Sequence, residues 1–147
     1  MKLYTDGSCK KNGNGGWAFV LLEDDESAVI AQSEAVSNTT NNRMELQALI
    51  EGLKEASKKE SKNFHCSIYT DSAYCLNCYK EGWYQTWKSN GWINSKKEPV
   101  KNRDLWEELI PFFSKPQYRF LKVVGHSGDR YNEMVDSMAQ TAADSLK

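Results

Sequence analysis

The sequence predicts an α/β fold: a single domain built on a mixed five-stranded sheet, an antiparallel meander extended by parallel strands, with helices flanking it. Three observations carry this. Three strand-like runs joined by short polar turns open the chain. After them, helical and strand-like periodicities alternate, which demands helical crossovers between parallel strands. Two of the strand-like runs also end on the same dipeptide, Thr-Asp, at Thr5-Asp6 and Thr70-Asp71.

Residues 2–5 are short and strand-like, 17–22 form an apolar run behind "GNGG", and 28–36 follow the turn-like "EDDES". The period then changes. Leu46, Leu49, Ile50 and Leu53 repeat at i, i+3, i+4, i+7, with "NTTNN" upstream as a capping region and Lys58-Lys59 near the end, so a helix is expected there. Residues 64–70, "FHCSIYT", read as a strand, and a short helix is expected from 72 to about 79. A polar, aromatic segment leads to a helix near 104–113, interrupted late by Pro111. Residues 118–124 read as the last strand, and Met134, Val135, Met138, Ala139 and Ala142 mark a final amphipathic helix. The order is β-β-β-α-β-α-α-β-α.

At 147 residues and 39% hydrophobic content, the chain fits one domain with a real core. Its net charge of −1 carries no global signal for a polyanion partner, so any such surface must be local. No run of eighteen apolar residues exists, and the start enters a strand pattern without a signal-peptide core. The expectation is a soluble, unsecreted, cytoplasmic monomer with no membrane partner. Cys75 and Cys78 form a CxxC without a second Cys or His pair at zinc spacing, and helical i, i+3 spacing explains them equally well. With Cys9 and Cys66 isolated, four reduced thiols are the preferred reading.

The carboxylates carry the chemistry. Adjacent parallel strands lie roughly 4.8 Å apart, so matching Thr-Asp ends would bring Asp6 and Asp71 close together. Glu45, in the first turn of the first helix, and Asp136, beside Met134 and Val135 on the last, can face the same sheet edge. A cluster of Asp and Glu without matching Lys or Arg suits a hard divalent cation, which prefers oxygen ligands. Each residue alone has a plainer role as turn former, helix cap or dipole partner.

"YTDGS" at 4–8, "TTNNRMEL" at 39–46, "YTDSAY" at 69–74, "KKEPVKNRDLW" at 96–106 and "GHSGDRYNEMVD" at 125–136 together resemble type 1 ribonuclease H, in order and over nearly the whole chain. The resemblance implies a ribonuclease H-like fold and endonucleolytic hydrolysis of the RNA strand of RNA/DNA hybrids, leaving 5′-phosphate and 3′-hydroxyl ends. It implies two Mg²⁺ ions per site, with Mn²⁺ as a substitute, held by Asp6, Glu45, Asp71 and Asp136. His126 resembles the family histidine that shuttles protons or assists product release, a role suited to imidazole. Glu133 resembles an acidic residue near the metals. His65 carries no motif and is read as structural.

The resemblance also assigns substrate contacts. Asn12, Asn41 and Asn42 match the ribose readers, and Cys9 matches a residue whose backbone contributes; amides suit the 2′-hydroxyl, which both donates and accepts. Thr40 and Asn102 match a DNA-phosphate pocket, and Tyr74 joins the substrate contacts. From 80 to 103, six cations, Lys80, Lys88, Lys96, Lys97, Lys101 and Arg103, face only Glu81 and Glu98, whereas 13 cations meet 18 anions elsewhere. This asymmetry locates a polyanion face. It matches the family's basic protrusion, with Trp83 facing DNA, Lys88 gripping it, Trp87 between them and Trp92 assigned to the core. Departures touch grip more than chemistry: Ser89-Asn90 follow Lys88 where cations are common, Asn38 stands where an Arg is common, and Ala73 replaces a larger contact residue. Two rivals differ in substrate or chemistry, a resolvase or transposase domain of the same fold and an inert hybrid-binding module. The asparagine set argues against the first, and the complete carboxylate set against the second.

Overall fold

A computed structural model describes residues 1–123 and 130–146. The elements follow in the order β1 (Lys2–Cys9), β2 (Gly15–Leu22), β3 (Ala28–Val36), α1 (Asn41–Ser57), β4 (Cys66–Thr70), α2 (Ala73–Glu81), α3 (Trp83–Asn90), α4 (Arg103–Phe113), β5 (Tyr118–Lys122) and α5 (Arg130–Asp144). The sheet order is β3-β2-β1-β4-β5. Pairings β1–β2 and β2–β3 are antiparallel, and β1–β4 and β4–β5 are parallel, as the meander-plus-crossover reading predicts.

Helix α1 starts where it does because the Thr40 hydroxyl accepts the Arg43 N–H at 3.2 Å, satisfying one of the orphan donors of the first turn. Its apolar stripe, with Leu46, Leu49, Ile50 and Leu53 all fully buried, lies on the sheet face that carries Leu3, Phe19, Leu21 and Ile68. The other face takes α5, whose Val135 and Ala139 pack with Tyr4, Ala18, Val20 and Leu22. Two glycines allow these approaches. A Cβ on Gly7 would stand 2.4 Å from the Glu45 nitrogen, and one on Gly16 would stand 2.4 Å from the Ala139 carbonyl oxygen. Glycine in a strand interior here marks close backbone contact.

Four expectations need correction. The segment after α2 is a further helix, α3, bracketed by Gly82 and Gly91 in left-handed conformation at φ 70° and 79°. It buries only Trp87, so it shows no apolar stripe. Strand β1 runs on to Cys9 through its antiparallel partner, so Asp6 is a strand-interior residue rather than a strand end. Because the cap is Thr40, Glu45 is the fifth helical residue and falls in the second turn of α1. Finally, β4 begins at Cys66, leaving His65 outside it, exposed, with its ring 3.5 Å from the Asp24 carboxylate. The last strand ends at Lys122, with Val123 outside it, and residue 124 lies outside the described residues. Among the described residues no helix is long and apolar enough to cross a membrane.

Candidate active site

The repeated tripeptide Tyr-Thr-Asp builds the floor of the site. The parallel pairing of β1 with β4 covers Lys2↔Ser67, Leu3↔Ile68 and Tyr4↔Tyr69, and there it stops. The two tyrosine rings stack at 4.8 Å between centroids with 16° between planes, and the Tyr131 ring of α5 lies 5.5 Å from Tyr4. Beyond the pair come the buried Thr5 and Thr70, then Asp6 and Asp71. Thr70 closes its strand by accepting the Ser72 N–H at 3.1 Å, and Ser72 in turn caps α2 through the Cys75 N–H.

Carboxylate oxygens of Asp6, Glu45 and Asp71 lie within 4.8 Å of one another. Asp6 and Glu45 are only 4% and 5% exposed, and Asp71 is exposed. The one amide between the two buried groups is shared: the Gly7 N–H donates to Asp6 Oδ1 at 2.9 Å and to Glu45 Oε1 at 3.0 Å. Glu45 Oε2 is buried and finds no hydrogen-bond partner among the described residues. Loss of hydration pushes both carboxyl pKa values up, and the mutual negative charge of the cluster pushes them further. No ion pair among the described residues involves any of the three. Buried carboxylates with an orphan oxygen and no cationic side chain form a donor set suited to a hard divalent cation.

Around the trio, Ser8, Asn41, Asn42, Ser72, Ala73, Tyr74 and Asp136 complete a polar pocket of about 450 Å³. Asp136 is exposed, and the Gln140 side-chain amide one turn later donates to its two oxygens at 3.2 and 3.1 Å. Glu133 is exposed in the first turn of α5 and does not line the pocket. Asn12 also lies outside the lining, its carbonyl oxygen closing a turn on the Asn14 N–H at 3.0 Å. The Cys9 thiol lies 3.4 Å from the Lys10 and Thr39 carbonyl oxygens, so its one proton is shared between its own loop and the residue before the α1 cap. His126 lies outside the described residues.

Asn42 and Tyr74 also line a second groove, about 460 Å³, between α3 and residues 93–102. Trp83, Trp87 and Asn102 line it too. Trp83 and Trp92 are half-buried against the core, while Trp87 is the buried one of the three. Lys88, Lys96 and Lys97 stand exposed around it without lining it. No motif marks Gly7 as a backbone donor; the sequence signals it only as a glycine placed immediately after Asp6.

Comparison with known proteins agrees with this geometry. The sequence profile of the RNase H family matches residues 1–144. A protein named ribonuclease H from Syntrophomonas wolfei is 48% identical over 145 residues, covering 98% of this chain and 96% of that protein. The solution structure of the PFV RNase H domain superposes with a TM-score of 0.77 at 25% identity, over 99% of this chain and 95% of that one. LC11-RNase H1, crystallised with an RNA/DNA hybrid, gives a TM-score of 0.70 at 22% identity, over 98% and 96%.

Proposed function

Because this chain belongs to the RNase H family, we propose that it hydrolyses the RNA strand of RNA/DNA hybrids endonucleolytically, leaving 5′-phosphate and 3′-hydroxyl ends. The observation that carries the reading is the convergence of Asp6, Glu45 and Asp71 to within 4.8 Å without a cationic side chain. LC11-RNase H1, which shares the fold, was crystallised with such a hybrid, and that substrate suits the two adjoining surfaces here.

Asp6, Glu45, Asp71 and Asp136 would hold two Mg²⁺ ions, for which Mn²⁺ can substitute. Ions bound there supply an acidified water as nucleophile and charge compensation for the departing 3′ oxygen. The protein's own contribution is position. The shared Gly7 N–H turns Asp6 and Glu45 toward one another, and the amides of Asn41 and Asn42, at the positive end of α1, offer donors and acceptors to a ribose 2′-hydroxyl. His126 is assigned proton movement at the leaving group or product. Cys9, Asn12 and Thr40 stay assigned to the RNA and DNA backbones, and the exposed Lys88 to the DNA strand. The protein acts as a monomeric cytoplasmic enzyme in this reading, with a single catalytic domain.

A cleavage assay on matched RNA/DNA, RNA/RNA and DNA/DNA duplexes, with Mg²⁺ or with EDTA, tests it. The expected result is cutting of the hybrid alone, and only with metal. Equal cutting of the DNA duplex would overturn the substrate assignment, and cutting in EDTA would overturn the metal assignment.

A further inference from the structure

We propose that Arg43 is a positioning residue: it locks the Asn102 side-chain amide in one orientation, so that Asn102 and Tyr74 present only hydrogen-bond donors to a phosphate of the DNA strand. The inference rests on the hybrid-nuclease reading for its ligand, and on geometry for everything else.

Arg43 lies on α1 next to Asn42. Its Nη1 donates to Asn102 Oδ1 at 3.3 Å and to Asp104 Oδ1 at 3.1 Å, while Nη2 donates to Asp104 Oδ2 at 2.9 Å. A guanidinium carries donors only, so the amide atom facing it must be the carbonyl oxygen, and the amide cannot flip without losing that bond. The opposite side of the amide is read in the same sense. Asn102 Nδ2 donates to Tyr74 Oη at 3.3 Å, and the fully buried Trp106 donates its indole N–H to the same oxygen at 3.0 Å.

A phenolic oxygen has two acceptor sites and one proton. Here both acceptor sites are taken, so the proton is what Tyr74 has left to offer, and no acceptor for it is found among the described residues. Asn102 likewise keeps one N–H. Asn102 precedes α4 at φ 62°, and it lines the groove together with Tyr74 and Asn42. The unused hydrogen-bonding capacity of these two side chains is therefore donor in character, matching an anionic phosphodiester. A flipped amide would turn its carbonyl oxygen where the anion must sit. Lysine is a poor replacement for Arg43, because an ammonium lacks the planar fork whose two nitrogens grip both Asp104 oxygens and so aim Nη1 at Asn102.

The test is a double-mutant cycle on Arg43→Met and Asn102→Ala, read as KM and kcat on a hybrid at fixed salt. It is read again as Kd for a fluorescent hybrid in EDTA, where nothing is cut. Arg43→Met should weaken binding about tenfold, the size expected for misdirecting a hydrogen bond to a charged group, with the loss in KM rather than kcat. In the Asn102→Ala background the same substitution should cost less than about twofold, since coupling shows as non-additivity. Arg43→Lys should not rescue, and Tyr74→Phe should raise KM several-fold. If Arg43→Met does not fold, Asp104→Ala, at an exposed carboxylate, removes both acceptors that aim the guanidinium at Asn102. Equal losses with and without the Asn102 amide, or a loss confined to kcat, would overturn the inference. A wild-type protein that binds hybrid but cuts none would sink the function reading, and the Kd cycle would still judge Arg43.

Discussion

The acidic pocket and the groove beside it share Asn42 and Tyr74, yet they are built on opposite plans. The pocket sets two buried carboxyl groups, Asp6 and Glu45, beside the exposed Asp71 and Asp136, with one amide between the buried pair and one oxygen unsatisfied among the described residues. The groove has amides, a phenol, indoles and one exposed lysine, Lys101, for walls, and leaves Lys88, Lys96 and Lys97 outside its lining. Buried like charges cost stability, whereas exposed charges cost nearly nothing and act at long range. In the proposed reading the contrast assigns bond breaking to the pocket and grip to the groove, which makes the two separable by substitution. One set of substitutions should act on rate, the other on binding.

The hardest test of that separation is Asp6→Asn. It should lower kcat by about three orders of magnitude, more than a single transition-state donor usually costs, because in the proposed reading it removes a metal ligand outright. In metal-free protein it should also raise Tm by about 2–5 °C, by relieving repulsion between buried carboxyls. The sign with pH follows. Asp6 and Glu45 have folded pKa values above their unfolded ones, first because burial strips their hydration. Their contribution is complete below the unfolded value near 4 and is lost as pH rises through the folded values. Thermal melts in EDTA should therefore fall in Tm from about pH 4 upward, less steeply in Asp6→Asn, and full activity in that variant at saturating Mg²⁺ would break the comparison.

Replacing Lys88, Lys96 and Lys97 together by Ala probes the other side. KM for hybrid should rise and its salt dependence should flatten, by up to about 0.9 in log–log slope for each phosphate no longer neutralised, with kcat little changed. An unchanged slope would place the hybrid elsewhere. The smallest effect should separate the asparagines. Asn42 lines both surfaces, whereas Asn12 spends its side-chain oxygen on the Asn14 N–H. A single deoxynucleotide at the contacted position should penalise wild type by about tenfold or more in kcat/KM, since it leaves polar groups unpaired. Asn42→Ala should shrink that penalty more than Asn12→Ala, and equal effects would return Asn12 to the ribose.

How far these features were legible in the sequence follows the same division. Asp6, Glu45 and Asp71 announced themselves because each sits in a motif, and the twin Tyr-Thr-Asp endings gave their adjacency through strand spacing. Helix α3 hid because a helix that buries one side chain leaves no stripe, although Gly82 and Gly91 spaced to cap eight residues were a usable signal. The second-turn place of Glu45 depended on which threonine of "NTTNN" became the cap, a choice set by local hydrogen bonding. The Arg43–Asn102 contact joins residues 59 apart, and no local pattern encodes it.

The stacked tyrosines under the carboxylates have one more consequence. They mark the last rung of parallel pairing before Asp6 and Asp71, so the gauge between those two acids derives from the hydrogen-bond pitch of the main chain. Side-chain identity elsewhere in the sheet does not enter that gauge. Exposed positions of the outer strand β3 can therefore change while the jaws of the site keep their setting, as a caliper keeps its reading when its handle is recut.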